Sequence, residues 1–197
     1  MSEPNRYIIV AGISGAGKST LYRARPELFT HSKRLNADEI LQKMGGDWHK
    51  NRDNFRAMRE EIKQLHAALN AGQSIHVETT LSRQGKAQLN LIERAHQNGF
   101  EVTLLYVALK DERVAINRVH ERVKKGGHGV PDEVVEKRYS QSNHNLAAVA
   151  FKADNVVICD NSQKFVSVYR RDHDQVIKNN LRNFLWINPK ITLEAAI

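Results

Sequence analysis

Short apolar runs alternate along the chain with longer stretches whose apolar residues recur every three or four positions. Tyr7–Ala11 is a five-residue apolar run met at once by glycine, the pattern of a buried strand. Ser74–Glu78 follows the stop signal Ala71-Gly72, and Val102–Ala108 follows Asn98-Gly99; both read as strands, as does Asn155–Cys159, with Lys33–Asn36 a shorter candidate. Between these runs the period changes. Phe55, Met58, Ile62, Leu65 and Leu69 step along one face and predict a helix over Asn51–Asn70. Leu89, Ile92 and Ala95 predict another over Ser82–Gln97. Further helices are expected over Asp111–Lys125, from Pro131 to about Ala150, and over Asp172–Phe184, the last with Leu181, Phe184, Leu185 and Trp186 available for packing.

Strands separated by helices imply parallel strands joined by crossovers, hence a layered α/β domain. No repeat or low-complexity tract divides the 197 residues, a length suited to one domain with a small lid. In such folds ligands bind beyond the carboxyl ends of the strands, so the segment after each strand matters most.

After the first strand stands Gly12-Ile13-Ser14-Gly15-Ala16-Gly17-Lys18-Ser19, with Thr20 next. The spacing is that of a phosphate-binding loop. Its glycines let successive backbone N–H groups turn inward onto phosphate, joined by the N-terminus of the following helix. Lys18 then reaches the β- and γ-phosphates of ATP, and the Ser19 hydroxyl ligates Mg²⁺.

After Lys33–Asn36 comes Asp38. Beside a γ-phosphate it is a candidate base for an acceptor hydroxyl; equally, Asn36 and Glu39 read as helix capping, with Asp38 favouring the helix dipole. Glu78-Thr79-Thr80 closes the next strand. Glu78 can bind the acceptor or hold the metal through water, and Thr79 and Thr80 offer hydroxyls; Thr80 or Ser82 can instead cap a helix. Arg83 can meet an anionic acceptor or lie in solvent.

Between the third and fourth strands lie two helical stretches joined by the glycine-rich tip Gly126-Gly127-His128-Gly129. They form a candidate lid over about 111–150. Arg113, Arg118 and Arg122 precede the tip and Arg138 follows it. Arg118 and Arg138 are the candidates to neutralise the transferred phosphoryl, and His128 can touch phosphate or substrate; a solvated helical hairpin gives the same pattern. Asp160-Asn161-Ser162, after the last strand, is a candidate adenine contact through Asn161 or a plain polar turn. Trp48 can stack on a substrate ring or anchor its loop.

The composition is that of a soluble protein, 41% hydrophobic and 26% charged, and its net charge of +8 favours anionic partners. The single cysteine, Cys159, forbids an internal disulfide. The polar Met1–Arg6 segment and the short apolar run after it fit neither a signal peptide nor a membrane span, so a cytoplasmic protein is expected. No zinc-ligand spacing, nucleophile elbow or RNA-binding signature is present, and nucleic acid is not the expected partner.

The ordered set Gly12–Ser19, Asn36-Ala37-Asp38-Glu39, Glu78-Thr79-Thr80, the Arg118 helix, Gly126-Gly127-His128-x-Val130-Pro131, Arg138-Tyr139 and Asn145-Leu146 resembles the zeta-toxin family of small P-loop kinases, in its compact bacterial branch. The resemblance runs from about Ile8 to Ser162. It implies a parallel five-stranded P-loop kinase fold and ATP-dependent phosphorylation of a sugar-nucleotide hydroxyl, UDP-N-acetylglucosamine being the family's best-known acceptor. By it Asp38 falls on the catalytic base, Lys18 on the loop lysine, Glu78 and Thr80 on the acceptor-side motif, and Arg118 and Arg138 near the lid arginines. It also admits a separate antitoxin protein as partner. Two other readings of the residues stay open. One is a P-loop phosphotransferase acting on another metabolite, an antibiotic or a nucleic-acid end. The other is a low-turnover nucleotide-binding regulator.

Overall fold

The computed structural model describes residues 4–82, 85–188 and 190. In chain order the elements are β1 (Asn5–Ala11), α1 (Lys18–Ala24), a 3-10 turn (Pro26–Phe29), β2 (Lys33–Leu35), α2 (Ala37–Lys43) and α3 (Asn51–Asn70). There follow β3 (Ile75–Thr79), α4 (Gly85–Gln97), β4 (Phe100–Ala108), α5 (Glu112–Lys124), α6 (Asp132–Lys152), β5 (Asn155–Asp160), β6 (Val166–Asp172), β7 (Gln175–Asn179) and a second 3-10 turn (Leu181–Asn183).

The sheet order is β2-β3-β1-β4-β5-β6-β7. The first five strands pair in parallel, as the alternation of strand and helix requires. Alternate residues of β1 serve opposite faces. Tyr7, Ile9 and Ala11 join Leu65, Leu69, Ile92 and Leu146 in one core, while Ile8 and Val10 join Leu21, Val107, Ala115 and Val135 in the other. Helices therefore cover both faces, and the ends of five strands converge on one rim.

Two expectations need correction. The sheet has seven strands, not five, because β6 pairs antiparallel with β5 and β7 with β6. Those strands take the segment expected to be the helix Asp172–Phe184. Val166, Val168, Val176 and Ile177 are β-branched and suit strands, and His173, at φ 48, turns the chain between them. The hairpin covers the edge that β5 would otherwise present. Of the packing residues expected there, Leu181 is buried and Phe184 and Trp186 pack on the core, while Leu185 stands 85% exposed.

The second correction concerns α3. Its span is as expected, yet its buried face is rotated: Ala57, Leu65, Ala68 and Leu69 are inside, while Phe55 and Ile62 are exposed. Glu61 lies one turn from both Ala57 and Leu65, on the packed side. Among the described residues no helix is long and apolar enough to cross a membrane.

Candidate functional site

The loop between β1 and α1 needs its glycines. Gly12, Gly15 and Gly17 have φ of 141°, 83° and 102°. A Cβ on Gly12 would lie 2.6 Å from the Val107 carbonyl oxygen, and one on Gly15 2.5 Å from that of Ala115. The loop is sewn to its neighbours. Gly12 N–H donates to Thr79 O at 3.1 Å, Ala16 N–H to Ile13 O at 3.0 Å, and Asn161 Nδ2 to Ala16 O at 2.8 Å. The Lys18 ammonium donates to Gly12 O at 2.7 Å and Ile13 O at 3.3 Å. Ser14 is half-buried, and Ser19 and Thr20 are exposed on the first turn of α1. Asn161 thus braces the phosphate loop, from the segment expected to meet the base.

Next to β1 in the sheet, β3 carries the acceptor-side candidates, with Val10 opposite Glu78. The Glu78 side chain is only 14% exposed and accepts from Arg34 Nη2 at 2.6 Å. Arg34 also reaches Glu39 at 2.9 Å and lies over the Tyr22 ring at 4.6 Å. Glu39 is therefore engaged by Arg34, while Asn36 Oδ1 alone caps α2, accepting from Asp38 N–H at 2.8 Å and Glu39 N–H at 3.2 Å. Asp38 projects from that capped turn with its side chain 75% exposed.

Thr79 Oγ1 accepts from Leu81 N–H at 3.2 Å, and Thr80 Oγ1 lies 2.6 Å from Ser82 Oγ. Leu81, buried, holds a left-handed φ of 53°, and Asn145 Nδ2 donates to its carbonyl at 2.6 Å. A leucine in that conformation stores strain, which burial and the Asn145 bond offset beside the site. Arg83 lies outside the described residues.

The helices expected to form a lid are α5 and α6. Asp111 caps α5, and the Tyr139 hydroxyl ties α6 to Leu109 O at 3.1 Å and Lys110 O at 2.9 Å. Arg118 donates to Gly15 O at 3.4 Å, Asn161 O at 2.8 Å and Ser162 O at 3.3 Å. Its guanidinium is spent on main-chain carbonyls of the phosphate loop and the β5 loop. One turn further on, Arg122 is exposed, and together with Arg138 it acts electrostatically on both Lys18 and His128. His128, at the lid tip, stacks on Trp48 with ring centroids 4.6 Å apart, and its Nδ1 lies 3.9 Å from Asp38 Oδ1. Trp48 packs on Ile40, Leu41 and Ala57 and stacks on His49, so it anchors its own loop and receives the lid.

The charges share one cleft. Burial lowers the pKa of Lys18 most; Glu78 and Asp38 oppose that shift, and Arg122 and Arg138 add to it. Burial also lowers the pKa of His128, against the pull of Asp38 and with the push of Arg122, Arg138 and His49. Asp38, Glu78, Arg122 and Arg138 thus lie within electrostatic reach of Lys18 on the phosphate loop. The arrangement suits transfer of a phosphoryl group to an acceptor on the Asp38 side. Among the described residues no three His, Cys, Asp or Glu side chains group as a metal site.

Sequence reasoning had no signal for Arg34, whose partner lies far along the chain, nor for Glu61, hidden in a helix rich in charge. Arg122 was visible as an arginine before the glycine-rich tip, but its electrostatic reach to Lys18, shared with Arg138, was not.

Comparison with known proteins places this geometry. The model of the family described as "Zeta toxin" matches residues 2–174. An uncharacterized protein of Haemophilus influenzae is 29% identical over 135 residues, covering 68% of this chain and 93% of its own. The AvrRxo1-ORF1:-ORF2 structure with ATP matches with a TM-score of 0.75 at 15% identity over 94% of this chain; this chain spans 64% of that one, under two thirds of its length. A structure from the PezAT chromosomal toxin–antitoxin system of Streptococcus pneumoniae matches with a TM-score of 0.58 at 19% identity, over 84% of this chain and 72% of that one. At such identities these structures share the fold.

Proposed function

The chain belongs to the zeta-toxin family of ATP-dependent phosphotransferases, and from that premise we propose that it phosphorylates a hydroxyl of a sugar nucleotide, UDP-N-acetylglucosamine first among candidates. The observation that carries the reading is the glycine-built loop after β1, with Gly12 bonded to Thr79 O and Val10 paired with Glu78, and with Asp38 exposed beside His128.

The residues fit the nucleotide and its ion. The N–H groups of Gly15, Gly17, Lys18 and Ser19 and the Lys18 ammonium would hold the phosphates, and the Ser19 hydroxyl would ligate Mg²⁺. Bound there, ATP supplies the phosphoryl group and Mg²⁺ neutralises charge on its oxygens. Asp38 accepts the proton of the acceptor hydroxyl as its oxygen attacks. Arg122 and Arg138 offset the charge that spreads over the transferred oxygens. Arg122 takes the part that spacing first suggests for Arg118, because the Arg118 guanidinium is held by three carbonyls. Arg118 and Asn161 brace the loop. Glu78, fixed by Arg34, and the Thr80 hydroxyl face the acceptor, whose hydroxyls suit a rim rich in carboxylates; His128 covers it from the lid. A separate antitoxin protein is the partner that family membership suggests, supported by the toxin–antitoxin structure sharing this fold.

The test is mass spectrometry of a metabolite extract incubated with the protein, ATP and Mg²⁺. A phosphorylated sugar nucleotide is expected. Phosphate appearing only on another class of metabolite, or on nucleic-acid ends, would overturn the acceptor assignment.

A further inference from the structure

We propose that Asp160, at the end of β5, is a positioning residue of the nucleotide side: its buried carboxylate holds the Asn161–Ser162 turn that props the phosphate loop. The inference rests on the reading of Gly12–Ser19 as the loop that takes ATP.

Asp160 is 5% exposed and is the only buried carboxylate among the described residues. A carboxylate out of water is unfavourable unless hydrogen-bond donors surround it. Three do. Oδ1 accepts from Ser162 N–H at 3.0 Å, and Oδ2 accepts from the Ser162 hydroxyl at 2.8 Å and from Trp186 Nε1–H at 2.9 Å. The hydroxyl has its direction set. Lys110 N–H donates to Ser162 Oγ at 2.7 Å, so the hydrogen on that oxygen is left for Asp160. A carboxylate that takes the N–H two residues on closes the chain into a turn, and here the residue inside the turn is Asn161.

That turn lies against the phosphate loop. Asn161 N–H donates to Ala108 O at 2.9 Å and Asn161 Nδ2 to Ala16 O at 2.8 Å, while the carbonyls of Asn161 and Ser162 take the Arg118 guanidinium. The approach leaves no slack: a Cβ on Gly17 would lie 2.3 Å from Asn161 Nδ2. The next N–H groups along the loop are those of Lys18 and Ser19, at the start of α1, where phosphate binds.

Trp186 ties the same carboxylate to a distant part of the chain. Its ring packs on the core and edge-on to Phe184, with centroids 5.2 Å apart, and its carbonyl accepts from Asn143 Nδ2 of α6 at 2.8 Å. Both partners of the Trp186–Asp160 bond are therefore held. The turn that carries Asn161 is set by β5 and by the segment after β7 together.

Two measurements on the full chain test this. The first needs no nucleotide. Ser162→Ala removes one donor to Asp160 and the tie to Lys110. Amide hydrogen exchange followed by NMR should show Asn161 N–H exchanging about tenfold faster in that variant, and Ser162→Thr, which keeps the hydroxyl, should restore the parental rate. The second is binding of ATP with Mg²⁺ by calorimetry. Ser162→Ala and Trp186→Phe, which keeps a ring and loses the N–H, should each raise the dissociation constant about 3- to 10-fold. Asp160→Asn sets an NH₂ against at least one donor whichever way the amide turns, and should raise it further. In an Asn161→Ala background the Ser162→Ala step should add less than about twofold, because the side chain that carries the effect is gone. Parental exchange and affinity in Ser162→Ala would overturn the proposal, as would equal losses in Ser162→Thr or full additivity with Asn161→Ala. Should Asp160→Asn fail to fold, the Ser162 and Trp186 variants decide. Absence of ATP binding by the parent would count against the loop's role alone and leave the exchange measurement to decide.

Discussion

Asp38 Oδ1 and His128 Nδ1 stand 3.9 Å apart, one on the first turn of α2 and the other at the tip of the lid. The carboxylate is too exposed to be a structural anchor and too far from the imidazole for a tight pair. It lies where the lid meets the cleft that holds Lys18. Asp38→Asn keeps the shape and removes the base. Turnover is expected to fall about 10²- to 10⁴-fold, the usual contribution of general base catalysis. ATP affinity, read by calorimetry, should stay within twofold. Unimpaired transfer would remove Asp38 from the base role.

Arg118 and Arg122 are one turn apart and differ in what they touch. Arg122→Ala should lower turnover by about 10³-fold with ATP affinity little changed, as when an arginine that stabilises the transferred phosphoryl is removed. Arg118→Ala leaves three carbonyls short of a donor, so it should weaken ATP binding and cost about 2 kcal/mol of stability. Steady-state kinetics with calorimetry separates them, and an exchange of the two phenotypes would reverse the assignment.

Gly15→Ala tests whether the loop geometry is obligatory. A Cβ there would lie 2.5 Å from Ala115 O at a φ of 83°. Left-handed strain and overpacking together should cost about 2–4 kcal/mol, read in urea unfolding. ATP binding should fall in parallel, since the oxygen it strikes belongs to α5. A variant of parental stability and affinity would contradict the packing described.

Glu61 should leave a signature in stability. Its folded pKa, about 7, lies above the ordinary 4.5, so the folded state holds the proton more tightly than the unfolded chain. That contribution is complete below pH 4.5 and is lost as pH rises from there through 7, by about 3 kcal/mol. Glu61→Gln carries no such dependence. Its stability relative to the parent should therefore increase from pH 5 to pH 8 in chemical denaturation. A difference that is constant with pH would show that Glu61 does not titrate in this window.

Sequence carried the parallel half of the fold and the glycine-built loop after β1. The glycine spacing of Gly12–Ser19 is a local requirement, and local requirements can be read. Asp38 and Glu78 are candidates by position, and the structure puts each at or just past a strand end. The hairpin of β6 and β7 was missed because Leu181, Phe184 and Trp186 offered a helical stripe stronger than the alternation at Val166 and Val168. On α3 the large residues Phe55 and Ile62 pulled the predicted face outward, while small Ala57 and Ala68 were inside. The same rotation hid Glu61. Arg34 escaped because nothing local announces an ion pair with a glutamate one strand away. Pairing across the fold is a property of the sheet, and a linear pattern does not contain it.

The two feet of the lid are pinned at different places. Arg118 fastens α5 to the phosphate loop, and Tyr139 fastens α6 to the end of β4. Between those ties α5 runs from Arg118 to Lys124, about 9 Å at 1.5 Å per residue, and Val119 within that run is buried. Arg122 stands on this stretch, and Arg138 stands one residue from the Tyr139 tie. The two arginines are thus placed by separate anchors, one reaching the phosphate loop and the other the end of β4.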